Sequence, residues 1–404
     1  MIDLRAGKQL DSILDSTARI NIWQGSVSSG KTISSLLRWI EFCQNGAKGN
    51  LLMIGKTERT LKRNVIDVLS DILDGSGSFI TRTGSGEIQI GNRTIYIVGA
   101  NDERAEAKIR GLTLAGAYGD EVTLWSESFF NMLLSRLRVP NAQLFLTTNP
   151  DSPNHWLKKK FLDRETELDI QNFAFQLGDN HTLDPKYVES LKAEYAPPSS
   201  LWYRRFINGE WIMAEGAVYD CFDRPENIVS ELPKMREYYV GVDYGTTNPL
   251  CALLIGEGQD DNLYVIKEYY YDSAKSQRQL SDAEYSRELR NFLDGYDVRK
   301  IFVDPSAASF ITQLWRDNHL GVTKANNNVQ DGIRIVYNLI GSRKLKIHSS
   351  CVRLIEEIES YVWDVKQQER GEDKPLKRND HAVDALRYVM IALGAIWRHW
   401  ITRR

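Results

Sequence analysis

Residues 25–32 read GSVSSGKT, a match to the pattern GxxxxGK[ST]. Such a loop wraps its backbone N–H groups around phosphate oxygens when a strand leads into it and a helix leads out. Both flanks comply. Upstream, ARINIWQ (residues 18–24) holds Ile20, Ile22 and Trp23, a short buried strand. Downstream, TISSLLRWIEFCQ (residues 32–44) places Ile33, Leu36, Leu37 and Ile40 on one helical face. In that frame Gly25, Ser26, Val27, Ser28, Ser29 and Gly30 cradle the phosphates of ATP. Lys31 meets the β- and γ-phosphates, and Thr32 ligates Mg²⁺. The bland alternative is a Ser/Gly turn before an ordinary helix.

A second element argues against that alternative. LTLAGAYGDEVTLW (residues 112–125) is a small, apolar run ending in Asp120-Glu121. A buried strand that delivers two carboxylates supplies what nucleotide hydrolysis needs: Asp120 to hold Mg²⁺ through water and Glu121 to polarise the attacking water. A third strand, QLFLTTNPDSP (residues 143–153), ends in Thr147-Thr148-Asn149, polar groups placed to sense a γ-phosphate. Either segment alone reads equally well as a solvated turn. Between them, NLLMIGK predicts a strand, TLKRNVIDVLSDIL a helix, and EIQIGNRTIYIVG a hairpin about Gly91-Asn92. Strands alternate with helices, so a mostly parallel sheet is expected.

Beyond residue 180 the pattern changes. Residues 181–211 are helical, aromatic and interrupted by Pro197-Pro198, and they lead to an expected linker at 213–235. YYVGVDYG (residues 238–245) then opens a strong strand with Asp243 near its end. Two further strands follow as an antiparallel meander, and KIFVDPSA (residues 300–307) is another strand, ending in Asp304. NDHAVDALRYVMIAL (residues 379–393) predicts a helix with Asp380 and Asp384 on one face. Carboxylates from two strand ends and one helix are a means of holding two Mg²⁺ or Mn²⁺ ions over a scissile phosphate. Singly, each acid reads as a turn or helix-terminus residue. His381 lies beside them, placed to orient a ligand or shuttle a proton, or else merely exposed.

The bulk properties set the frame. With 404 residues the chain is long enough for two domains, and 42% hydrophobic with 26% charged residues is ordinary for a globular protein. No apolar run reaches the roughly 18 residues that span a bilayer, and the charged start, MIDLRAGKQLDSILD, lacks the apolar core of a targeting segment. An intracellular protein is expected. Cys43, Cys221, Cys251 and Cys351 form no CxxC pair, so free thiols are expected in place of a zinc site. The formal net charge of −3 excludes a generally basic nucleic-acid binder. DNA contact falls to local runs: Lys158-Lys159-Lys160, Arg204-Arg205, Lys377-Arg378 and the end RHWITRR.

Taken in order, GSVSSGKT, GDE, TTNP, NGEW, GVDYG, FVDPSA and NDHAVDALRY resemble the large terminase subunits of tailed bacteriophages over nearly the whole chain. The resemblance implies an α/β protein: an N-terminal P-loop packaging ATPase over residues 1–212, with a small helical subdomain at about 180–212, and an RNase H-like nuclease over 236–404. It implies ATP-driven movement of double-stranded DNA into a procapsid and metal-dependent cutting of concatemers. The implied partners are a small terminase subunit and the portal, with a ring of copies on the portal, in the cytoplasm of a bacterial host and away from any membrane. Lys31 with Thr32, Asp120 with Glu121, and Thr147 to Asn149 match the family's ATPase positions, and Gln9 matches a glutamine near adenine. Asp243, Asp304 and Asp384, with Asp380, match the nuclease acids. Many terminases carry an arginine inside the phosphate loop, where this chain has Ser26 to Ser29. Arg110 matches a family arginine that acts on a neighbouring subunit's ATP. An ATP-dependent repair helicase-nuclease lacks support, because no set of helicase arginine motifs follows the third strand. A non-catalytic DNA-binding adaptor conflicts with the intact lysine and acids.

Overall fold

The computed structural model describes residues 7–73, 79–82, 86–100, 105–195, 197–245, 249–273, 275–319, 321–394 and 397. The first six residues and the basic end RHWITRR lie outside the described residues. Contacts divide the chain into two units. The first comprises 1–188, 199–213 and 369–372; the second comprises 189–198, 214–368 and 373–404.

In the first unit the strands are β1 (Ile20–Gly25), β2 (Asn50–Gly55), β3 (Phe79–Arg82), β4 (Glu87–Ile90), β5 (Arg93–Gly99), β6 (Leu114–Gly119), β7 (Gln143–Thr148) and β8 (Ile170–Phe175). Among the described residues they form one sheet in the order β3-β4-β5-β2-β6-β7-β1-β8. From β5 to β8 all pairs are parallel, while β3, β4 and β5 are antiparallel, with the expected hairpin between β4 and β5. The near-continuous apolar runs of β1, β2, β6 and β7 follow from burial on both faces. Ile22, Leu52, Ile54, Leu144 and Leu146 point into one core cluster. Their neighbours Trp23, Leu51, Met53 and Phe145 point into the other. Register then fixes the chemistry: Gln24 lies opposite Thr148, and Gly119 opposite Leu146. The phosphate loop, Asp120-Glu121 and Thr148-Asn149 all leave the sheet at its carboxyl edge, where α/β sheets bind ligands.

The second unit carries β9 (Ile228–Val229), β10 (Met235–Asp243), β11 (Leu250–Gly258), β12 (Leu263–Tyr271), β13 (Val298–Val303), β14 (Val322–Lys324) and β15 (Leu345–His348). Their order is β14-β13-β10-β11-β12-β15-β9. The meander β10-β11-β12 is antiparallel, as expected, and the flanking strands join it in parallel. The helix His381–Ala392 packs on β10 and β11. Gly241 makes that close approach possible, because a Cβ there would lie 2.0 Å from the Ala385 carbonyl oxygen.

The stretch 213–235, expected as a linker, is folded from Ala214 onward as part of the second unit. Val218 and Tyr219 are buried, and β9 pairs with β15. Buried Asn227 donates to the carbonyls of Ile340 and Leu345, 3.2 Å in each case. The segment's turn residues mask apolar anchors too sparse to show a period. The helical stretch after residue 180 also divides: Pro185–Tyr195 and Leu201–Phe206 are helices, but 189–198 groups with the second unit.

Candidate nucleotide and nuclease sites

Gly30 ends the phosphate loop with φ of 92°, and Ser28 adopts φ of 55°, left-handed geometry that turns the chain into the helix Lys31–Asn45. Lys31 is buried. Its Nζ donates to the carbonyls of Gly25 (3.0 Å) and Ser26 (2.5 Å) and to Asn149 Oδ1 (3.1 Å). Burial pushes its pKa down to about 7, against the pull of Asp120 and Glu121. Asp120 is buried as well; Thr147 Oγ1 donates to its Oδ1 at 2.6 Å. Burial raises that carboxyl, and the Thr147 bond and Lys31 oppose the rise. Glu121 sits at φ of 53°, a strained conformation for a side chain of its type. Thr148 Oγ1 donates to Thr123 Oγ1 at 2.9 Å and so fixes the turn after the acids.

Val27, Ser28, Lys31, Thr32, Asp120, Glu121 and Thr147 to Asn149 line one cavity of about 190 Å³. The Gln9 side chain lies over the loop, where a Cβ on Gly30 would meet its Nε2 at 1.9 Å. Arg110 sits on an exposed turn and does not line this cavity. Three braces of the loop have no signature in the sequence. Val27 N–H donates to the Phe206 carbonyl (2.8 Å), Asn180 Nδ2 donates to the Ser28 carbonyl (2.8 Å), and the Tyr187 and Ser28 hydroxyls are 2.9 Å apart. The NGEW motif now has a local meaning: Gly209 holds φ of 74°, and a Cβ there would press on Ser26 N and the Phe175 carbonyl, each at 3.2 Å.

In the second unit Asp243, Asp304, Asp380 and Asp384 line a cavity of about 690 Å³. Val242 lies opposite Val303, and Asp304 N–H donates to the Val242 carbonyl at 3.1 Å, so the two strand-end acids leave one sheet edge together. The helix begins at His381, with Asp380 as its N-terminal cap and not on its face as expected. His381 is not merely exposed. Its Nδ1 lies 2.9 Å from Asp243 Oδ2, and Tyr388 OH donates to Asp243 Oδ1 at 3.1 Å. Burial lowers the His381 pKa, but the bond to Asp243 and the charges of Asp243 and Asp380 raise it overall. Asp384 pairs with the Arg387 guanidinium. Burial lifts its carboxyl to about 7; Arg387 opposes this, and Asp243 and Asp380 add to it. Glu357, absent from the sequence reading, accepts from Ala382 N–H (2.7 Å) and Val383 N–H (3.1 Å), steadying the helix that carries Asp384.

Among the described residues no three His, Cys, Asp or Glu side chains stand close enough together to hold a metal ion as they are. The donor set nevertheless fits a hard divalent cation: the carboxylates of Asp243, Asp304, Asp380 and Asp384 share one cavity, and Asp384 bears the repulsion of its acidic neighbours. Of the basic runs, Lys377 and Arg378 line this cavity. Lys158 and Lys160 pair with Asp163 and Glu127, and Arg204 and Arg205 with Glu210 and Asp151, so within these two runs the charges of those four residues are matched inside the chain. Cys43, Cys251 and Cys351 are buried free thiols, while Cys221 is half-buried. No helix among the described residues is long and apolar enough to cross a membrane.

Comparison with known proteins covers both units. The family described as "Terminase large subunit, T4likevirus-type, N-terminal" matches residues 22–224, and "Terminase RNaseH-like domain" matches 240–393. The large terminase of a thermophilic bacteriophage superposes with a TM-score of 0.88 at 35% identity, covering 97% of this chain and 99% of that one. The complex of that same phage protein with ADP gives 0.87 at 35% identity, covering 96% and 98%. The large terminase subunit of Escherichia phage T5 is 24% identical over 352 residues, 83% of this chain and 74% of that protein.

Proposed function

This chain belongs to the large terminase subunits of bacteriophages, and from that premise we propose which of its residues run each of its two chemistries. It is a subunit of a DNA-packaging motor: an ATPase joined to an RNase H-like nuclease, working on DNA with ATP and a divalent metal. The observation that carries the assignment is that two cavities of different chemistry are each lined from one unit alone, one by the phosphate loop and its acids, the other by strand-end carboxylates.

In the first cavity Lys31 exchanges the Gly25 and Ser26 carbonyls for the β- and γ-phosphates, and the loop N–H groups not spent on the Phe175 and Phe206 carbonyls hold the remaining oxygens. Thr32 and Asp120 would hold Mg²⁺. Glu121 takes the proton of the attacking water. Thr148 and Asn149 sense the γ-phosphate, Asn149 through the bond it already makes to Lys31. Gln9 contacts the adenine side of the nucleotide, and Arg110 serves the ATP of a neighbouring copy in a ring on the portal.

In the second cavity Asp243, Asp304 and Asp384, with Asp380 beside them, would hold two Mg²⁺ or Mn²⁺ ions. Bound there, such ions supply Lewis acidity and an activated water at the scissile phosphate. His381 and Tyr388 fix the Asp243 carboxylate, and Arg387 fixes Asp384. Lys377 and Arg378 meet backbone phosphates of double-stranded DNA, so cutting shows little base preference. The small terminase subunit and the portal are the partners, and the host cytoplasm is the place of action.

The test crosses two variants. Lys31→Ala should abolish ATP hydrolysis and leave Mn²⁺-dependent plasmid cleavage near the wild-type rate; Asp243→Asn should do the reverse. Loss of both activities in either folded variant refutes two independent sites.

A further inference from the structure

One wall of the nucleotide cavity belongs to none of the sequence motifs. Apart from the loop, the β6 acids and the tip of β7, a single side chain lines it among the described residues, that of Asn64. Its backbone is unusual. β2 ends at Gly55 on the same sheet edge as the acids, since Asp120 N–H donates to the Ile54 carbonyl at 2.9 Å. The chain then starts a helix at Glu58, capped reciprocally by Thr57 and Thr60. Over Lys62–Ile66 that helix widens into a π turn before resuming as α through Leu73. Isolated π turns of this kind recur at functional sites, because the inserted residue re-aims a side chain at a cost in hydrogen bonding. Packing continues across it regardless: Leu61, Val65, Ile66 and Leu69 all stay buried. What the turn changes is the outer side, where Arg63 Nε donates to Asn64 Oδ1 at 3.1 Å. With its oxygen engaged by a guanidinium, Asn64 meets the cavity as a hydrogen-bond donor, polarised by the charge behind it.

We infer that Asn64 donates to the γ-phosphoryl group during hydrolysis and that Arg63 acts through it as a positioning residue. The pair supplies from within the same chain part of the positive field that the loop, Ser26 to Ser29, does not carry. The inference rests on the reading of this cavity as the ATP site. It needs no movement of the acids or of the loop, only a phosphoryl group in the space that Asn64 and Lys31 both line.

The experiment compares the full chain with Asn64→Ala, Asn64→Asp and Arg63→Ala, with Lys31→Ala as control. It measures ATP turnover and calorimetric affinity for ADP and for ADP with aluminium fluoride, an analogue of the phosphoryl group in transfer. Asn64→Ala should lower kcat and weaken the fluoride complex, each by about ten- to a hundredfold, the worth of one hydrogen bond to a charged group. Its ADP affinity should stay within about twofold, because ADP has no γ-phosphate to lose a bond. Asn64→Asp should lose more than Asn64→Ala, since a carboxylate repels the phosphoryl oxygens, and Arg63→Ala should lose less. Wild-type kcat and wild-type analogue affinity in Asn64→Ala overturn the inference. Equal weakening of ADP and the analogue also overturns it, by showing a structural role. Absent turnover in the wild type, or turnover untouched in Lys31→Ala, overturns instead the reading of the cavity beneath it.

Discussion

Lys31 sets two demands against each other. Burial disfavours its charge and brings its pKa down to about 7, while three oxygens accept from its Nζ. Above that pKa burial favours a neutral amine, whose two N–H groups serve only two of these three oxygens; a polyphosphate beside it restores the ammonium, because an opposite charge at close range favours the charged form. The sign follows: a base whose pKa rises on binding takes up a proton between the two values. At about pH 8.5, where ADP is fully deprotonated, ADP binding should take up close to one proton per chain. Calorimetry in two buffers of different ionisation enthalpy measures that number directly. Lys31→Arg stays charged throughout and should show no uptake; equal uptake in both proteins would assign the proton elsewhere. The residue scale is also where sequence was most informative. Asp120, Asn149, Asp243 and Asp304 were legible because each sits at a strand end, and Lys31 because it opens a helix after a glycine-rich loop, so that residue type and apolar run occur within a few positions of one another. Tyr388 and Asn64 were not, and His381 stayed between a functional and a merely exposed reading, since their meaning lies in partners or neighbours that local pattern does not name.

At the level of elements, the nuclease cavity depends on how deeply one helix settles into the sheet. His381–Ala392 reaches β10 across Gly241 and is held at its start by Glu357 and at Arg387 by Tyr361. Gly241→Ala drives a methyl group into the Ala385 carbonyl, 2.0 Å away, and overpacking of that kind costs about 1 to 3 kcal/mol. The helix should shift outward with Asp384, so plasmid cleavage should fall at least tenfold, roughly the kinetic cost of a misplaced catalytic group. A scanning calorimeter should record a lower melting temperature, and ATP turnover should persist. Unchanged cleavage together with unchanged melting would mean that the sheet yields at no cost. The elements themselves were mostly foreseeable: parallel strands from continuous apolar runs, the meander from its turn, the helix from its period. The segment after Ala214 and the π turn at Lys62–Ile66 escaped notice, because sparse anchors and a one-residue insertion leave the local pattern nearly intact.

Taken whole, the molecule places Arg110 on an exposed turn that does not line its own ATP cavity. If it completes a neighbour's site, ATP turnover per chain should climb with protein concentration, and Arg110→Ala should flatten that dependence. A wild-type rate that ignores concentration, followed alongside sedimentation, would assign the arginine to the surface only. The bonds of Lys31 within the loop bear on a different moment of the cycle, the exchange of one nucleotide for the next. When ADP leaves, the lysine falls back on the Gly25 and Ser26 carbonyls, and Phe206 and Asn180 keep the loop in shape. The vacated cradle is its own placeholder. A cradle braced from two sides in this way meets the next nucleotide with its shape already set.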